Sequence, residues 1–242
     1  MKKLCSLLAV LAVTMGTTVV VASPAEAAPN LRAPFSRELV KRGQVDKDQW
    51  HIAHVYEVQY RLRWLGHLDA RPTGYFGRQT ERAVKRFQRA EGLRVSGVVN
   101  AATWAPLIKK SVRGKRFVPE RCHLGGWRVC YDRKRHQASL YRRGRLHNSW
   151  LVRGGGYDTQ TRTGNFTVQW RSKDHWSQTY DAPMPYAQFF SGGQALHGSR
   201  NMMDPFVGHS HGCVNFWVED ARQLWNLTYD KRLRVHVYGA WD

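Results

Sequence analysis

The sequence predicts two domains: a small all-α module of three helices, followed by a mainly β domain with one or more packed helices. Two observations support this fold class. Between residues 51 and 110, apolar side chains recur at the three- and four-residue spacing of amphipathic helices, with Gly-containing turns between them. Between residues 125 and 240, short alternating apolar runs separated by Gly, Asp and Arg-Gly turns take over, a pattern typical of strands.

The helical module is predicted to contain three short helices. Apolar residues at helical spacing predict the first helix over Val55–Leu65, with Gly66 as its C-cap. Thr80 is predicted as the N-cap of a second helix that ends at Gly92, and Asn100 as the N-cap of a short third one. No internal repeat is apparent in the sequence.

Five apolar runs of the second domain are predicted as strands, and one segment near its end as a helix. The predicted strands are Arg128–Tyr131, Ala138–Tyr141, Trp150–Val152, Asn165–Gln169 and Leu233–Tyr238. The helix is predicted over residues 219–228, with Ala221, Leu224 and Trp225 on its apolar face.

The first residues have the three parts of a secretory signal peptide. Two lysines precede an apolar run that extends to about Val21, and an Ala-x-Ala site ends at Ala27. We therefore predict a signal peptide over residues 1–27 and a secreted chain. No later apolar stretch is long enough to span a bilayer, so we expect no membrane span after cleavage. Residues 28–50 are rich in Pro, Ala and charge and predict a linker with little packed structure.

The net charge of the chain indicates which kinds of molecule it binds. The chain has 38 Lys and Arg against 18 Asp and Glu, a formal net charge of +20, which favours polyanionic partners. Export makes a cell wall that carries carboxylates and phosphates the natural candidate. Nothing in the sequence resembles a nucleic-acid motif, so we expect no nucleic-acid partner.

The cysteines predict one disulfide and one free thiol. Cys5 leaves with the signal peptide, and three cysteines remain. Cys122 and Cys130 lie close together in a Gly-containing stretch and are the expected pair, so Cys213 is left unpaired. An unpaired cysteine in an exported protein is usually either buried or chemically employed.

Two Gly-containing stretches carry the chemistry: Ala-Leu-His-Gly-Ser around His197 and Ser-His-Gly-Cys-Val-Asn around Cys213. A thiol attacks as the thiolate, and a nearby imidazole is needed to take its proton at neutral pH. We therefore predict Cys213 as a nucleophile and His197 as its base. Gly212 and Gly198 are expected to let the chain turn sharply beside them. Backbone N–H groups around Gly212 and Cys213 are candidates for an oxyanion hole.

Two other kinds of protein remain open on these residues. His197, Asp204, His209, His211 and Cys213 lie close enough in sequence to suggest a zinc site, although no Glu-x-x-His follows them. A binding protein without activity would make Cys213 a buried structural thiol.

Residues 51–110 resemble the peptidoglycan-binding domain found in many wall enzymes. The matching motifs are Leu65-Gly66, Phe76-Gly77-x-x-Thr80, Ala83-Val84-x-x-Phe87-Gln88, Gly92-Leu93 and Thr103-Trp104-x-x-Leu107. The family commonly has Asp before the turn glycines, where this chain has Thr73 and Ser96. The resemblance implies that this module binds peptidoglycan.

The second domain, over roughly 125–240, resembles the L,D-transpeptidase catalytic domain. The signature is a His-Gly pair followed by Ser-His-Gly-Cys-x-Asn; further matches are Gln137, Thr163-Gly164-x-Phe166, Met184-Pro185-Tyr186, Phe190, Gly192-Gly193 and Asp220-Ala221-x-x-Leu224. The resemblance implies the same nucleophile and base, with His197 oriented by the backbone carbonyl of Gly198. It departs from the family at Arg162, where proline is common, and at residues 216–218 after the motif.

The same resemblance implies further roles. His211 would shape the site, and Tyr186, Ser210 and Asn215 would contact substrate, with the last two also supporting the loop. The implied reaction joins peptidoglycan stem peptides through an acyl-enzyme at Cys213, and water in place of the acceptor amine would give carboxypeptidase activity. We expect a monomer that needs no metal or organic cofactor.

Overall fold

The computed structural model describes residues 30, 32–48, 50–112 and 118–240. The predicted signal peptide, residues 1–27, lies outside the described residues. In the described part of the chain, no helix combines the length and the apolar character that a membrane crossing requires. A helical first domain and a mainly β second domain are both present, so the predicted fold class is confirmed.

Three helices form the first domain: α1 (Val55–Trp64), α2 (Arg78–Ala90) and α3 (Ala101–Ser111). The predicted cap of the third helix is confirmed, because the side chain of Asn100 accepts a hydrogen bond from the N–H of Thr103. The prediction that Thr80 caps the second helix is wrong. The N-cap of helix α2 is Gly77, three residues earlier, and the buried Thr80 hydroxyl accepts a hydrogen bond from Gln59 instead of a backbone N–H of its own helix.

Two buried glutamines give the module an internal repeat that is not apparent in the sequence. Gln59 of α1 accepts hydrogen bonds from the N–H groups of residues 73 and 74 and donates to the Thr80 hydroxyl. Gln88 of α2 likewise accepts from the N–H groups of residues 96 and 97 and donates to a threonine hydroxyl of α3. The two turns lie at different distances from their glutamines, which hides the repeat from a fixed-period search.

The prediction that residues 28–50 carry little packed structure is wrong for the described part of that segment. Phe35 and Val40 are buried in the core of the helical module, and Val40 and Val99 exchange two backbone hydrogen bonds of 2.9 and 2.8 Å. Arg37 is also buried. A composition rich in Pro and charge hides such anchors, because single apolar residues spaced along an irregular segment produce no periodic pattern.

Within residues 118–240, the second domain contains nine strands and a fourth α-helix. Their bounds are β1 (Trp127–Asp132), β2 (Gln137–Arg142), β3 (Arg145–Leu151), β4 (Gly164–Thr167), β5 (Trp170–Ser177), β6 (Ala182–Ser191), β7 (Gln194–Gly198), β8 (Val214–Phe216), α4 (Val218–Thr228) and β9 (Leu233–Tyr238). The five predicted strands and the predicted helix are present, with ends shifted by a few residues. A disulfide joins Cys122 to Cys130, as predicted, and Cys213 is a free cysteine.

The strands form two sheets, with order β3-β2-β1-β9-β4 in one and β5-β6-β7-β8 in the other. Most neighbours are antiparallel, but β1 pairs with β9 and β7 with β8 in parallel. Tyr131 and Trp150 from the first sheet meet Phe190 and Phe216 from the second in one buried core, which Leu224 of α4 completes. This core fixes the ends of β7 and β8, where the chemically interesting residues lie.

Four strands, β5 to β8, were not predicted. Strand β5 has a single buried residue, Ser177, and β6 contains Pro183 and Pro185, which argue against a strand in the sequence. Both prolines pair with residues of β5 in the sheet. Strands β7 and β8 have only five and three residues, which is too short for a recognisable alternation.

A buried ionic cluster joins the two domains. Glu57 of α1 accepts hydrogen bonds from Arg37 at 3.0 and 3.2 Å and from Arg61 at 2.7 and 2.9 Å. Both arginines also donate to the carbonyl of Ser149 in β3, at 2.8 Å each. Because the charges are buried and mutually satisfied, separation of the domains would expose an ionic network together with its apolar surroundings.

Candidate active site

A cleft of about 470 Å³ lies where β7 ends and β8 begins. The parallel pairing of the two strands sets His197 beside Asn215, two residues after Cys213. His197 and Cys213 both line the cleft. The predicted nucleophile and the predicted base, sixteen residues apart in sequence, are therefore brought to one site by a parallel strand pair that the sequence did not reveal.

The loop before Cys213 is closed by its own hydrogen bonds. Gly212 has a φ of +110°, and a Cβ at this position would collide with the side chain of Gln194, so the sharp turn predicted at Gly212 is confirmed. The Ser210 hydroxyl accepts from the N–H of Gly212 at 3.1 Å and donates to the carbonyl of Cys213 at 2.6 Å. Ser210 thus supports the loop. The Gly212 N–H is used within it, which leaves the N–H of Cys213 as the better candidate for an oxyanion donor.

The thiol of Cys213 lies among backbone groups of β7 and its turn. Its Sγ accepts a hydrogen bond from the N–H of Ala195 at 3.4 Å and lies 3.8 Å from the carbonyl oxygen of Gly193, toward which the S–H donates. Burial raises the pKa of the Cys213 thiol, and the Ala195 N–H opposes this shift. The resting site therefore holds a protonated thiol at neutral pH.

His197 is held as a neutral base. Its side chain is buried, and Nδ1 lies 2.7 Å from the carbonyl oxygen of Gly198, as the resemblance implied. A carbonyl accepts only, so Nδ1 carries the proton and Nε2 is left with a free lone pair. Burial lowers the pKa of His197 to about 4, and the Gly198 carbonyl opposes the shift. The imidazole can therefore accept a proton at any pH near neutrality.

The sharp turn predicted at Gly198 is wrong, although its carbonyl contacts His197 as the resemblance implied. This glycine does not turn the chain: it lies in β7 and is absent from the residues with positive φ. A Cβ at Gly198 would lie 3.0 Å from the Cα of Val218 and 3.2 Å from Cγ of Pro185. Its small size lets helix α4 and strand β6 approach β7 closely, which fixes the strand that carries His197.

Of the other predicted site residues, Asn215 and His211 lie at the cleft, whereas Tyr186 packs elsewhere. Asn215 lines the cleft, and its buried Oδ1 has no hydrogen-bond partner among the described residues, so it is available to a ligand. His211 is exposed at the cleft, where its ring stacks on Tyr180 with 4.4 Å between centroids. Tyr186 is not part of the cleft lining in the described chain; its ring packs against Trp225 of α4.

The alternative zinc set does not assemble. Among the residues that the structure describes, its five side chains do not gather their ligand atoms at one point. Asp204 instead accepts hydrogen bonds from the Tyr60 hydroxyl and from the N–H of Phe206. Within the described ranges, the set of potential ligands that does gather is His54, Glu57 and Asp220, and Glu57 there is already paired with two arginines.

Helix α1 and the segment before it hold one wall of the cleft, a contact that sequence reasoning missed. The wall is the loop of residues 199–209, which we call the active-site loop. The Tyr60 hydroxyl donates to both carboxylate oxygens of Asp204, at 2.9 and 3.0 Å, and the Tyr60 ring lies 4.3 Å from the ring of Phe206. The Arg200 guanidinium, which lines the cleft, lies 3.3 Å from the centre of the Trp50 ring. No local sequence signal marks such long-range pairs.

The second domain, which contains the cleft, matches a known family of catalytic domains. Residues 126–237 match the family model of the L,D-transpeptidase catalytic domain, a class of acyltransferases. Residues 53–107 match the family model of a peptidoglycan binding domain. The chain therefore contains a domain of the L,D-transpeptidase catalytic type, preceded by a peptidoglycan-binding domain.

Individual proteins that resemble this chain have low sequence identity with it, between 21% and 35%. The crystal structure of an L,D-transpeptidase from Stackebrandtia nassauensis is similar with a TM-score of 0.52 and 21% identity, over 86% of this chain and 98% of that one, which supports the fold. Spore cortex-lytic enzymes of Oceanobacillus iheyensis and Bacillus subtilis are 31% and 35% identical over 91 and 92 residues. Each match covers 38% of this chain and only 31% and 28% of those curated relatives.

Proposed function

We propose that the chain is secreted and cross-links peptidoglycan stem peptides through a thioester at Cys213. The observation that carries the proposal is that a candidate nucleophile and a candidate base line the same cleft. An unpaired thiol lies there with a buried neutral imidazole whose Nδ1 is fixed by the Gly198 carbonyl. This arrangement leaves Nε2 of His197 as the acceptor for the thiol proton.

The first half-reaction forms the acyl-enzyme. His197 takes the proton of Cys213, and the thiolate attacks the carbonyl carbon of the diamino-acid residue next to the terminal D-Ala of a tetrapeptide stem. The oxyanion that develops faces the N–H of Cys213. The peptide bond to D-Ala then breaks, its nitrogen receives the proton from His197, and the thioester remains.

The second half-reaction releases the thiol. A side-chain amine of a neighbouring stem attacks the thioester carbonyl and loses a proton to His197. The thiolate leaves and recovers that proton, so that an amide joins the two stems. Water in place of the amine gives an L,D-carboxypeptidase side activity.

The neutral thiol and imidazole of the free enzyme suit this sequence, because neither charge has to be buried before substrate arrives. Asn215, with its unpartnered buried Oδ1, is the proposed contact to a backbone or side-chain N–H of the stem peptide. The helical module is proposed to hold the monomeric enzyme on the wall polymer.

The proposal is tested by product analysis with a purified disaccharide-tetrapeptide. We expect release of at least one D-Ala for each cross-linked dimer, with any excess matched by hydrolysed stem peptide, and loss of both products in Cys213→Ala and His197→Gln. His236→Gln is a matched control, since the His236 ring also contacts a backbone carbonyl, at 3.1 Å from Gly164, but in the other sheet. An active Cys213→Ala enzyme, or dimer without release of D-Ala, would contradict the proposal.

A further inference from the structure

A second cleft, of about 910 Å³, lies where helix α3 meets the hairpin of β2 and β3. We call it the basic cleft. It is separate from the cleft that contains Cys213 and shares no lining residue with it. Its charged lining consists of Lys109 from α3 and Arg142, Arg143 and Arg145 from the hairpin, and no carboxylate residue takes part in this lining among the described residues.

The four cations of the basic cleft have no anionic partner. Their side chains belong to exposed residues, and none forms an ion pair with a carboxylate in the part of the chain that the structure describes. Like charges that share a concave surface repel one another and raise the local positive potential, which favours the binding of an anion.

Aromatic rings hold two of these cations in place. The Lys109 ammonium lies 4.9 Å from the centre of the Phe35 ring, and the Arg142 guanidinium lies 5.2 Å from that of Trp127. Such contacts are favourable by about 0.5–1 kcal/mol at exposed sites and restrict the side chains before a ligand arrives. They also cover the ring faces, so the cleft offers charge in preference to stacking surfaces.

The turn of the hairpin keeps the three arginines together, with Arg142 at the end of β2, Arg143 in the turn and Arg145 at the start of β3. Arg143 and Gly144 have φ angles of +51° and +74°, a pair that normally selects Asn-Gly. A Cβ at Gly144 would collide with the carbonyl of His123, so the turn has little freedom to change. Arginine in the left-handed conformation costs about 1–2 kcal/mol relative to the ordinary regions. The chain thus carries a cation at a position where local conformation favours a different residue.

The basic cleft also has a buried polar atom without a hydrogen-bond partner among the described residues. His147 lines the basic cleft with only 9% of its surface exposed, and its Nε2 has no hydrogen-bond partner among the described residues. Buried polar atoms are normally satisfied, so an unpartnered nitrogen in a cleft indicates a missing ligand atom or water.

We propose that the basic cleft is a binding site for a phosphodiester polyanion. Three of the four cations are arginines, whose planar donor fork matches the oxygens of a phosphate in a bidentate manner. A nucleic acid would also present phosphates, but single-stranded chains are bound through exposed aromatic platforms, and here the rings lie beneath cations. The occupant is therefore a flexible phosphodiester polymer without bases, bound independently of the reaction at Cys213.

The test measures binding of a labelled oligomer of glycerol phosphate to the full-length chain at several salt concentrations. The test variant is R142A/R143N/R145A, with Asn at 143 to suit the left-handed turn; the control R82A/R89A/R94A removes the same charge from exposed arginines of the helical module. We expect the test variant alone to lower the slope of log Kd against log salt by about two units, since each phosphate contact contributes roughly 0.7–0.9.

A second variant, Lys109→Glu, reverses one charge of the basic cleft on helix α3. Because it leaves the hairpin unchanged, the test remains valid if the hairpin variant does not fold. We expect Lys109→Glu to weaken binding by at least about tenfold at 0.15 M salt, and poly-L-glutamate of equal charge to compete poorly. Equal weakening by the control variant, equal competition by poly-L-glutamate, or much tighter binding of oligothymidylate would each overturn the proposal.

Discussion

Among the contacts between the active-site loop, residues 199–209, and the helical module, the Tyr60 hydroxyl can be removed without disturbing the packing of the rings. Tyr60→Phe deletes the two hydrogen bonds to Asp204, of 2.9 and 3.0 Å, and keeps the ring that lies against Phe206. A hydrogen bond to a charged group contributes about 1.5–3 kcal/mol when buried. The Tyr60 side chain is only half-buried, so solvent screening reduces this to about 1–2 kcal/mol, equivalent to roughly a 5- to 30-fold change in an opening equilibrium.

We expect hydrogen exchange of the backbone amides in residues 199–209 to accelerate by that factor, because the loop opens locally. Catalytic efficiency with the soluble tetrapeptide should fall by a similar factor, since this loop supplies Arg200 and Asn201 to the cleft. Tyr56→Phe is the matched control: Tyr56 stacks on Tyr60 in the same helix, but its hydroxyl has no hydrogen-bond partner in the described chain. Unchanged exchange in the Tyr60 variant would refute the reasoning.

Three further predictions concern stability. Glu57→Gln removes the counter-charge of the buried Arg61 and leaves Arg37 with Asp220, whose Oδ1 lies 3.7 Å from the Arg37 Nε. We expect a loss of about 3–5 kcal/mol in urea unfolding, whereas a loss below about 1 kcal/mol would contradict a buried ionic cluster. Burial raises the pKa of the Glu57 carboxyl, but the two arginines outweigh it and lower the pKa to about 2. Its contribution is therefore complete above the unfolded value near pH 4.3 and is lost as the pH falls toward 2, which acid unfolding of wild type and Glu57→Gln should show. Gly198→Ala forces a Cβ to 3.0 Å from the Cα of Val218, and we expect about 1–3 kcal/mol of destabilisation; a neutral effect would argue against tight packing of α4 on β7.

Motifs with strong local spacing were predictable. The helices of the first domain follow from their apolar periodicity, and the disulfide follows from the proximity of two cysteines in sequence. Gly66 was predicted as the C-cap of the first helix, but the cap is Leu65 and Gly66 lies one residue beyond it. The contact of His197 with the Gly198 carbonyl followed from resemblance to a family, not from the residues alone, and the structure has it at 2.7 Å. Each of these features depends on neighbours in sequence or on a motif.

Features that depend on distant partners were not predictable. Tyr60 and Asp204 are 144 residues apart, and nothing local to either indicates the other. Strand β6 contains two prolines that a propensity argument treats as breakers, although tertiary pairing with β5 accommodates them. Tyr186 was expected at the substrate and instead packs on α4, because a motif position does not state which side of a strand a side chain occupies.

The central claim is that Cys213 forms a thioester with the stem peptide. Intact-mass measurement of the enzyme mixed with disaccharide-tetrapeptide in the absence of an acceptor amine tests it most directly. We expect a wild-type adduct equal to the substrate minus D-Ala, which is absent from Cys213→Ala and released by hydroxylamine. An adduct that persists in Cys213→Ala, or no adduct on a folded wild-type enzyme that still releases D-Ala, would contradict the account.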